Sequence, residues 1–479
     1  MRYCGFSENF HDAGIALIGD NGDIEFASAS ERYTKVKNDR YLDYDLKQEL
    51  FNRADHISFY EDWEKRLKFQ YKHRITIGEK WKSMVELRRF YKQYAFIDHH
   101  MSHAATAFYT RPWESIKGTV MMVIDGHGED QSATIYDNKF NEVYKIMYPA
   151  SVGTIYGQVT NSLGFKALQE EYNVMGLAAY GEPLYEDLLL RFFRYSVDEK
   201  HRVRECSNIQ REIIKGLSVS AKPADLAASV QSFAEREIIR LCKIAKKYGN
   251  RLVYSGGVAQ NIVANSKIKD MFDDVWITPA PTDSGSSLGV AAYHYAQRTG
   301  KNRINWKDAY LGHDLENNIN PREVVDYILE YKVCGVANGR AEFGPRSLGN
   351  RSILADVRYP VKDTVNKIKK REQYRPFAPA ILEEYADKYF EGPMNQYMQY
   401  TCKSLHDYNS VTHVDGTARV QLVPSNSSSI LRPILEEYYD RTGVPMLLNT
   451  SLNVKGKPIA NDYYDIHEFE AVTNTKVFS

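Results

Sequence analysis

The sequence predicts an α/β protein of two domains, residues 1–310 and 311–479. Two observations carry that expectation. Short apolar strand signals, several of them ending at glycine, alternate with helical periodicity, and at 479 residues the chain is too long for one ordinary domain. The polar stretch "RTGKNRINWKDAYLGHDLE" (298–316) then breaks the rhythm and puts the boundary near 310.

The chain opens as strand, turn, strand. In "GIALIGDNGDIEFASAS" two apolar segments hinge on Asp20-Asn21-Gly22, residues that tolerate the positive φ of a tight hairpin. A long polar segment, roughly 38–94, reads as largely helical. A second hairpin follows in "GTVMMVIDGHGEDQSATIYDNKFNEVYKI", with 119–124 a buried strand ending at Asp125-Gly126. Residues 151–182 are rich in glycine, and "GLAAYGEP" closes them as a loop. Helical spacing returns in "PADLAASVQSFAEREIIRLCKIAKKYG" (223–249), which stops on glycine. "RLVYSGGVAQN" is a strand, a diglycine turn and a helix start. "VWITPAPTDSGSSLGVAAYHYAQ" is a strand, a loop carrying Asp283, and a helix. Beyond the boundary, "KVCGVANG" and "VPMLLNTS" continue the strand signals. No segment repeats at a fixed period.

Hydrophobic residues make up 43% and charged residues 26%, leaving room for real cores. Lys+Arg and Asp+Glu balance at 62 each, so overall charge selects no partner and electrostatic recognition must come from local clustering. Cys4, Cys206, Cys242, Cys334 and Cys402 are odd in number and form no CxxC pair. That fits a reducing compartment and argues against a disulfide framework or a cysteine–zinc site. The first residues lack the basic start and apolar core of a signal peptide, and no stretch approaches the ~20 apolar residues of a membrane span. A cytoplasmic protein with no membrane partner is expected. The GxxxxGK[ST] phosphate loop is absent, which excludes an ordinary P-loop mechanism.

Three of the thirteen histidines fall in "DHHMSHAATAFY" (98–109). On a helix His99 and His103 form an i,i+4 pair on one face, the spacing that two imidazoles need to share an ion; His100 points elsewhere. An isolated HxxxH is more often a pair of polar histidines near a surface. Asp125, closing a buried strand before glycine, and Asp283, in "APTDSGSS", are the carboxylates that change the reading. Two imidazoles with two carboxylates suit iron, manganese or zinc better than magnesium or calcium. Spacing alone does not bring the four together.

A second group of residues is cationic. Arg346 and Arg351 lie in "FGPRSLGNRS", Lys369 and Arg375 in "IKKREQYRPFAP", and Arg419 in "GTARVQ", among glycine, proline and apolar residues. Guanidinium forks grip phosphate oxygens bidentately and lysine adds a point charge. Asn449 and Ser451, after the apolar run of "LLNTSLN", offer an amide and a hydroxyl.

From residue 3 to about 470 the chain carries, in order, "GFSENFHDAGIALI", "ASERYTKVKND", "DHHMSHAATAFY", "VIDGHGE", "NVMGLAAYGEP", "SGGVAQN", "TDSGSSLG", "GRAEFGPRSLGNRSILAD", "REQYRPFAPAIL", "HVDGTARVQ" and "LLNTSLNVKGKPI". Together these resemble the O-carbamoyltransferases of the NodU/CmcH family. The resemblance implies a Kae1-like N-terminal domain of the actin/Hsp70/sugar-kinase superfamily over 1–310 and a YrdC-like α/β domain over 311–479. It implies that ATP and carbamoyl phosphate are joined into carbamoyl-adenylate in the second domain and that an acceptor hydroxyl takes the carbamoyl group in the first. It also implies a metal, Fe(II) or another divalent transition metal, on His99, His103, Asp125 and Asp283. His11, in "NFHDAG", matches the acceptor-side histidine that takes the hydroxyl proton, a task suited to imidazole. Gly256 and Gly257 match positions where backbone approaches the nucleoside, and Asn261 one that can touch it. Arg346, Lys369, Arg375, Arg419 and Ser451 match contacts to carbamoyl phosphate and ATP, with Mg accompanying the ATP. Two rivals are a threonylcarbamoyl-type enzyme acting on tRNA and a non-catalytic nucleotide- and metal-binding regulator.

The acceptor is read from charge. Residues 63–94 hold ten Lys/Arg against three Glu, interleaved with seven aromatics. Cations beside stackable rings suit a polyanion with exposed bases. The expectation is a hydroxymethylated pyrimidine in DNA, with Lys65, Arg66, Lys68 and Lys72 as backbone contacts. The alternative acceptor is a small hydroxyl compound, a sugar or an antibiotic, with the segment an amphipathic insertion whose aromatics pack inward.

Overall fold

A computed structural model describes residues 1–73, 94–197 and 203–479. It divides into two compact units, one of residues 1–30 and 38–306, the other of residues 31–37 and 307–479.

The first unit contains two five-stranded sheets. β1 (Tyr3–Ser7), β2 (Gly14–Ile18), β3 (Ile24–Ala29), β4 (His56–Phe59) and β5 (Ala95–Phe96) are ordered β3-β2-β1-β4-β5. β1 to β3 form an antiparallel meander, and β4 and β5 add in parallel. β6 (Thr119–Ile124), β7 (Gln131–Tyr136), β8 (Glu142–Met147), β9 (Arg251–Ser255) and β10 (Asp274–Ile277) are ordered β10-β9-β6-β7-β8. Here too a meander, β6 to β8, is extended by two parallel strands. The two sheets therefore share one topology, although no sequence period reveals it. Their central strands are buried throughout, all five residues of β1 and all six of β6, as expected for strands covered on both faces.

Within 38–94, helices Tyr44–Arg53 and Trp63–His73 flank β4, so the described part of the polar segment is largely helical, with a short strand between the helices; residues 74–93 lie outside the described residues. The glycine-rich 151–182 segment contains helices Val152–Ser162 and Glu171–Leu177. A Cβ on Gly153 would sit 2.8 Å from the Gly126 backbone nitrogen, so this glycine lets a helix approach a strand end.

Two helices bring the later site together. All residues of helix His99–Thr110 except Met101 are buried. Helix Asp283–Thr299 packs between it and β1, at a spacing that glycine permits: a Cβ on Gly289 would lie 2.0 Å from the Ser102 carbonyl oxygen, and one on Gly5 2.0 Å from that of Ser287.

The second unit is built on a six-stranded mixed sheet in the order Gln421–Val423, Ala378–Leu382, Met446–Ser451, Arg351–Ala355, Val333–Ala337, Val477–Phe478. Alternating side chains serve two cores. Leu354, Val336 and Leu447 pack with Val324, Ile328 and Ile434 from helices Pro321–Tyr331 and Leu431–Thr442. Ile353, Leu448 and Val333 pack with Phe377, Ile466 and Phe469. Residues 31–37 join this unit through Arg32, which donates to the Gly344 carbonyl at 3.3 Å, and Lys35, which bridges Asp462 and Asp465 at 2.8 and 2.7 Å. Among the described residues, no helix is long and apolar enough to cross a membrane.

Candidate active site

Four side chains converge where the secondary structure aims them. His99 and His103 occupy the first turns of helix His99–Thr110, Asp125 follows the last residue of β6, and Asp283 opens helix Asp283–Thr299 instead of sitting in the loop before it. His99 Nε2 stands 3.1 Å from His103 Nε2 and 3.1 Å from Asp125 Oδ2. His103 Nε2 stands 3.2 Å from Asp283 Oδ1 and 3.6 Å from Asp125 Oδ2, and His99 Nε2 stands 3.5 Å from Asp283 Oδ1. All four residues are buried, and their ligand atoms lie within 4.8 Å of one another.

The spacing fits an ion. Donors about 2.1 Å from one centre stand roughly 3.4 Å apart at the corners of a tetrahedron, within the range seen here. Two nitrogen and two oxygen donors are a transition-metal set. Without an ion the cluster is a crowd of polar atoms: burial pulls the His99 imidazole down, but Asp283, Asp125 and Glu61 outweigh it and push the group up to about 10.

The surroundings fix the cluster. Gly257 N–H donates to Asp125 Oδ1 at 3.1 Å, leaving Oδ2 to face the histidines. Gly256 holds φ at +95°, and a Cβ there would meet the Ile124 carbonyl oxygen at 2.3 Å; only glycine closes that turn easily. Asp98 makes no side-chain cap for the histidine helix. Glu129 does that work from the β6–β7 turn, its Oε1 accepting the His99 N–H at 2.7 Å and the Asp62 N–H at 2.9 Å. Glu129 and Glu61 were not singled out from the sequence, although Glu129 stands four residues after Asp125. His100 turns away and pairs its Nδ1 with Thr134 Oγ1 at 2.7 Å.

His11 lies in the β1–β2 turn with Nε2 3.8 Å from Asp283 Oδ2. Asp12 beside it accepts a hydrogen bond from Thr282. Asn261 caps helix Ile262–Ile268, accepting from Ala264 N–H at 3.1 Å, and exchanges hydrogen bonds with Gln231 at 3.0 and 3.1 Å. Its amide thus has structural work to do, beyond the nucleoside contact that the resemblance implies.

In the second unit, Lys369 ends helix Lys362–Lys369 and is buried. Its Nζ lies among four acceptors that share its three N–H groups, Ser451 O and Oγ at 2.5 and 3.0 Å and Asn453 O and Oδ1 at 3.0 and 2.8 Å. Burial, then Arg371, Arg375 and Lys37, pull this ammonium well below its ordinary value. Burial, then Arg346, Arg371 and Arg375, do the same to Arg419. The cations thus disfavour one another's charge. Arg375 also meets Glu372 at 3.5 Å. Asn449 Nδ2 donates to Ser347 O at 3.2 Å and Gln421 Oε1 at 2.7 Å; its buried Oδ1 has no hydrogen-bond partner among the described residues. Arg351 differs from these cations. It is fully buried and donates to carbonyls of His313, Asn338, Gly339, Asn350 and Asn461, holding the loop around Arg346.

The described part of the basic segment differs from the sequence expectation. Arg66 is fully buried, paired with Glu61 and stacked between Phe10 and Trp63, 4.7 and 5.0 Å from the ring centres. Lys65 bridges Asp98 and Asp130 at 3.2 and 3.4 Å, and Lys68 pairs with Glu64 one turn away at 2.7 Å. Arg66 is therefore no phosphate contact: the i, i+3 spacing from Trp63 buries both on the inner face of their helix.

A duplicated α/β unit with a histidine–carboxylate cluster beyond its central strand is accompanied in the same chain by an α/β unit that gathers cations. The chain belongs to the carbamoyltransferase family: residues 60–292 match the carbamoyltransferase N-terminus and residues 325–478 the carbamoyltransferase C-terminus. It is 33% identical over 416 residues to the nodulation protein NolO of Bradyrhizobium diazoefficiens, covering 77% of this chain and 75% of that one. It is 34% identical over 418 residues to the nodulation protein NolNO of Sinorhizobium fredii, covering 78% of this chain but 61% of that longer protein. Among solved structures, an activator of 2-hydroxyisocaproyl-CoA dehydratase from Clostridium difficile with bound ADPNP aligns with 63% of this chain and 96% of its own at 13% identity, with a TM-score of 0.38, too remote to carry an argument. Family membership makes the chain a carbamoyltransferase using ATP and carbamoyl phosphate, and removes the non-catalytic regulator from consideration.

Proposed function

We propose that the chain is a two-centre O-carbamoyltransferase. The second unit, read as YrdC-like, joins carbamoyl phosphate and ATP into carbamoyl-adenylate, with Arg346, Lys369, Arg375, Arg419, Asn449 and Ser451 holding the anionic groups and Mg accompanying the ATP. The first unit moves the carbamoyl group onto an acceptor hydroxyl. The observation that best supports this reading is the convergence of His99, His103, Asp125 and Asp283 within 4.8 Å, beside His11. Those four residues would hold Fe(II) or another divalent transition metal, which supplies Lewis-acid charge for a nucleotide phosphate. His11 takes the proton of the acceptor hydroxyl as its oxygen bonds to the carbamoyl carbon and the bond to AMP breaks. Gly256 and Gly257 leave room for the nucleoside to approach the backbone.

The small hydroxyl compound is favoured as acceptor over hydroxymethylated pyrimidine in DNA. Arg66, Lys65 and Lys68 are already engaged by Glu61, by Asp98 and Asp130, and by Glu64, which takes away part of the charge that pointed to a polyanion. The test is transfer from labelled carbamoyl phosphate to a panel of sugars, antibiotics and hydroxymethylated DNA. Salt-insensitive labelling of a neutral acceptor supports the first reading; labelling of DNA that falls steeply with salt reverses it. Activity with threonine and bicarbonate in place of carbamoyl phosphate would point to the tRNA-modifying rival.

A further inference from the structure

We infer that the buried pair Glu61–Arg66 is a positioning device for the histidine–carboxylate centre, holding His99 in the tautomer and orientation that point its Nε2 at a metal. This inference rests on the metal reading above and extends it to two residues that no family motif quoted above contains.

The geometry is specific. Glu61 Oε1 accepts from Arg66 Nη1 and stands 3.7 Å from His99 Nδ1. Both members of the pair are fully buried, as is His99. His99 Nδ1 and Glu61 Oε2 are both buried without a hydrogen-bond partner among the described residues, and Glu61 is the carboxyl group nearest that ring nitrogen at 3.7 Å, a small shift from a hydrogen bond. A carboxylate behind a ligating imidazole puts the proton on Nδ1 and frees Nε2 for the ion. The backbone of His99 is tied separately by Glu129, so ring and main chain are fixed from two directions.

Arg66 is the buried cation that partners this carboxyl group. Its guanidinium is held between the Phe10 and Trp63 rings, where aromatic faces favour a cation. Phe10 in turn packs on its neighbour His11, with ring centres 4.8 Å apart. One ion pair thus borders the His99 ring on one side and, through Phe10, the acceptor-side histidine on the other. A buried pair is weak evidence for stability alone, since a well-packed apolar pair often serves as well. Its position behind a ligand gives it a role that an apolar pair could not fill.

The test measures Co(II) binding by the full chain, by chelator competition and by the visible spectrum of the bound ion. Glu61→Gln should weaken binding about 10- to 100-fold and alter the spectrum. Because this change strands the Arg66 charge, the double variant Glu61→Gln/Arg66→Met is measured beside it. The double variant should melt near the wild type yet keep the weakened binding and altered spectrum. Wild-type affinity and spectrum in a folded double variant would overturn the inference. If the wild-type chain binds no stoichiometric Co(II), or His99→Ala binds it as tightly, the metal reading itself fails, and that outcome is distinct.

Discussion

His103 and Asp283 are 180 positions apart in sequence and 3.2 Å apart in space. The contact exists because two helices start at the same place and run closely packed, with Gly289 against the Ser102 carbonyl. The centre is therefore a product of helix packing, and loss of a ligand and loss of spacing should be distinguishable.

Loss of a ligand should spare the fold. His99→Ala or Asp283→Ala is expected to lose bound transition metal and carbamoyl transfer while the protein still melts cooperatively. Formation of carbamoyl-adenylate by the second unit should continue. Elemental analysis and the partial reaction check this; full metal occupancy in both variants would refute the ligand assignment.

Loss of spacing should cost both stability and metal. Gly289→Ala places a Cβ 2.0 Å from the Ser102 carbonyl oxygen, an overpacking expected to cost about 1–3 kcal/mol and to draw Asp283 away from His103. A lower melting temperature and weaker metal binding should appear together. Gly216→Ala is the control: a Cβ there meets nothing within 4 Å, in the interior of helix Val203–Ser220, where alanine is favoured by roughly 0.5–1 kcal/mol.

Removing the acceptor-side imidazole should isolate one step. His11→Ala is expected to slow carbamoyl transfer by about 100- to 10,000-fold while leaving metal content and carbamoyl-adenylate formation intact. A variant defective in adenylate formation would show that His11 acts elsewhere.

The cation cluster carries a pH prediction. Lys369 is held well below its ordinary value of 10.5 by burial and neighbouring cations. Between its folded value and 10.5 the unfolded chain binds more protons, so the stability of the anion-free protein should rise with pH across that window and fall as pH drops through the folded value. A phosphate anion relieves the crowding, so inorganic phosphate should bind with proton uptake and more weakly as pH rises there. Calorimetry in buffers of different ionisation heat reads the uptake, and Lys369→Met should abolish it. Arg419→Ala should stop carbamoyl-adenylate formation yet transfer from carbamoyl-adenylate supplied ready-made.

Legibility from sequence followed the length scale of each feature. The buried strand 119–124 and the HxxxH helix were plain, because unbroken apolar runs and i,i+4 spacing are local signals. β4 was hidden: only four residues of "HISF", two of them fully buried, sit between polar helices, and tertiary pairing with β1 overrides so weak a local preference. "GLAAYGEP" suggested a loop, yet Gly176 and Leu177 finish helix Glu171–Leu177 and Ala178–Tyr180 add a tight helical turn. Arg66 looked like solvent-facing charge because its partner, Glu61, lies before the helix and the ring of Phe10 lies 56 positions away. The convergence of His99, His103, Asp125 and Asp283 was suggested by resemblance alone; no spacing rule reaches across 180 residues.

The two like sheets of the first unit have a chemical corollary. The turn between β1 and β2 carries His11, and its counterpart between β6 and β7 carries Asp125 and Glu129. Equivalent corners of a repeated framework thus face one centre with different side chains, an imidazole on one corner and carboxylates on the other. Near-symmetric halves present an asymmetric set of groups, and a swap of residues between matching turns would exchange imidazole for carboxylate without altering the framework that presents them.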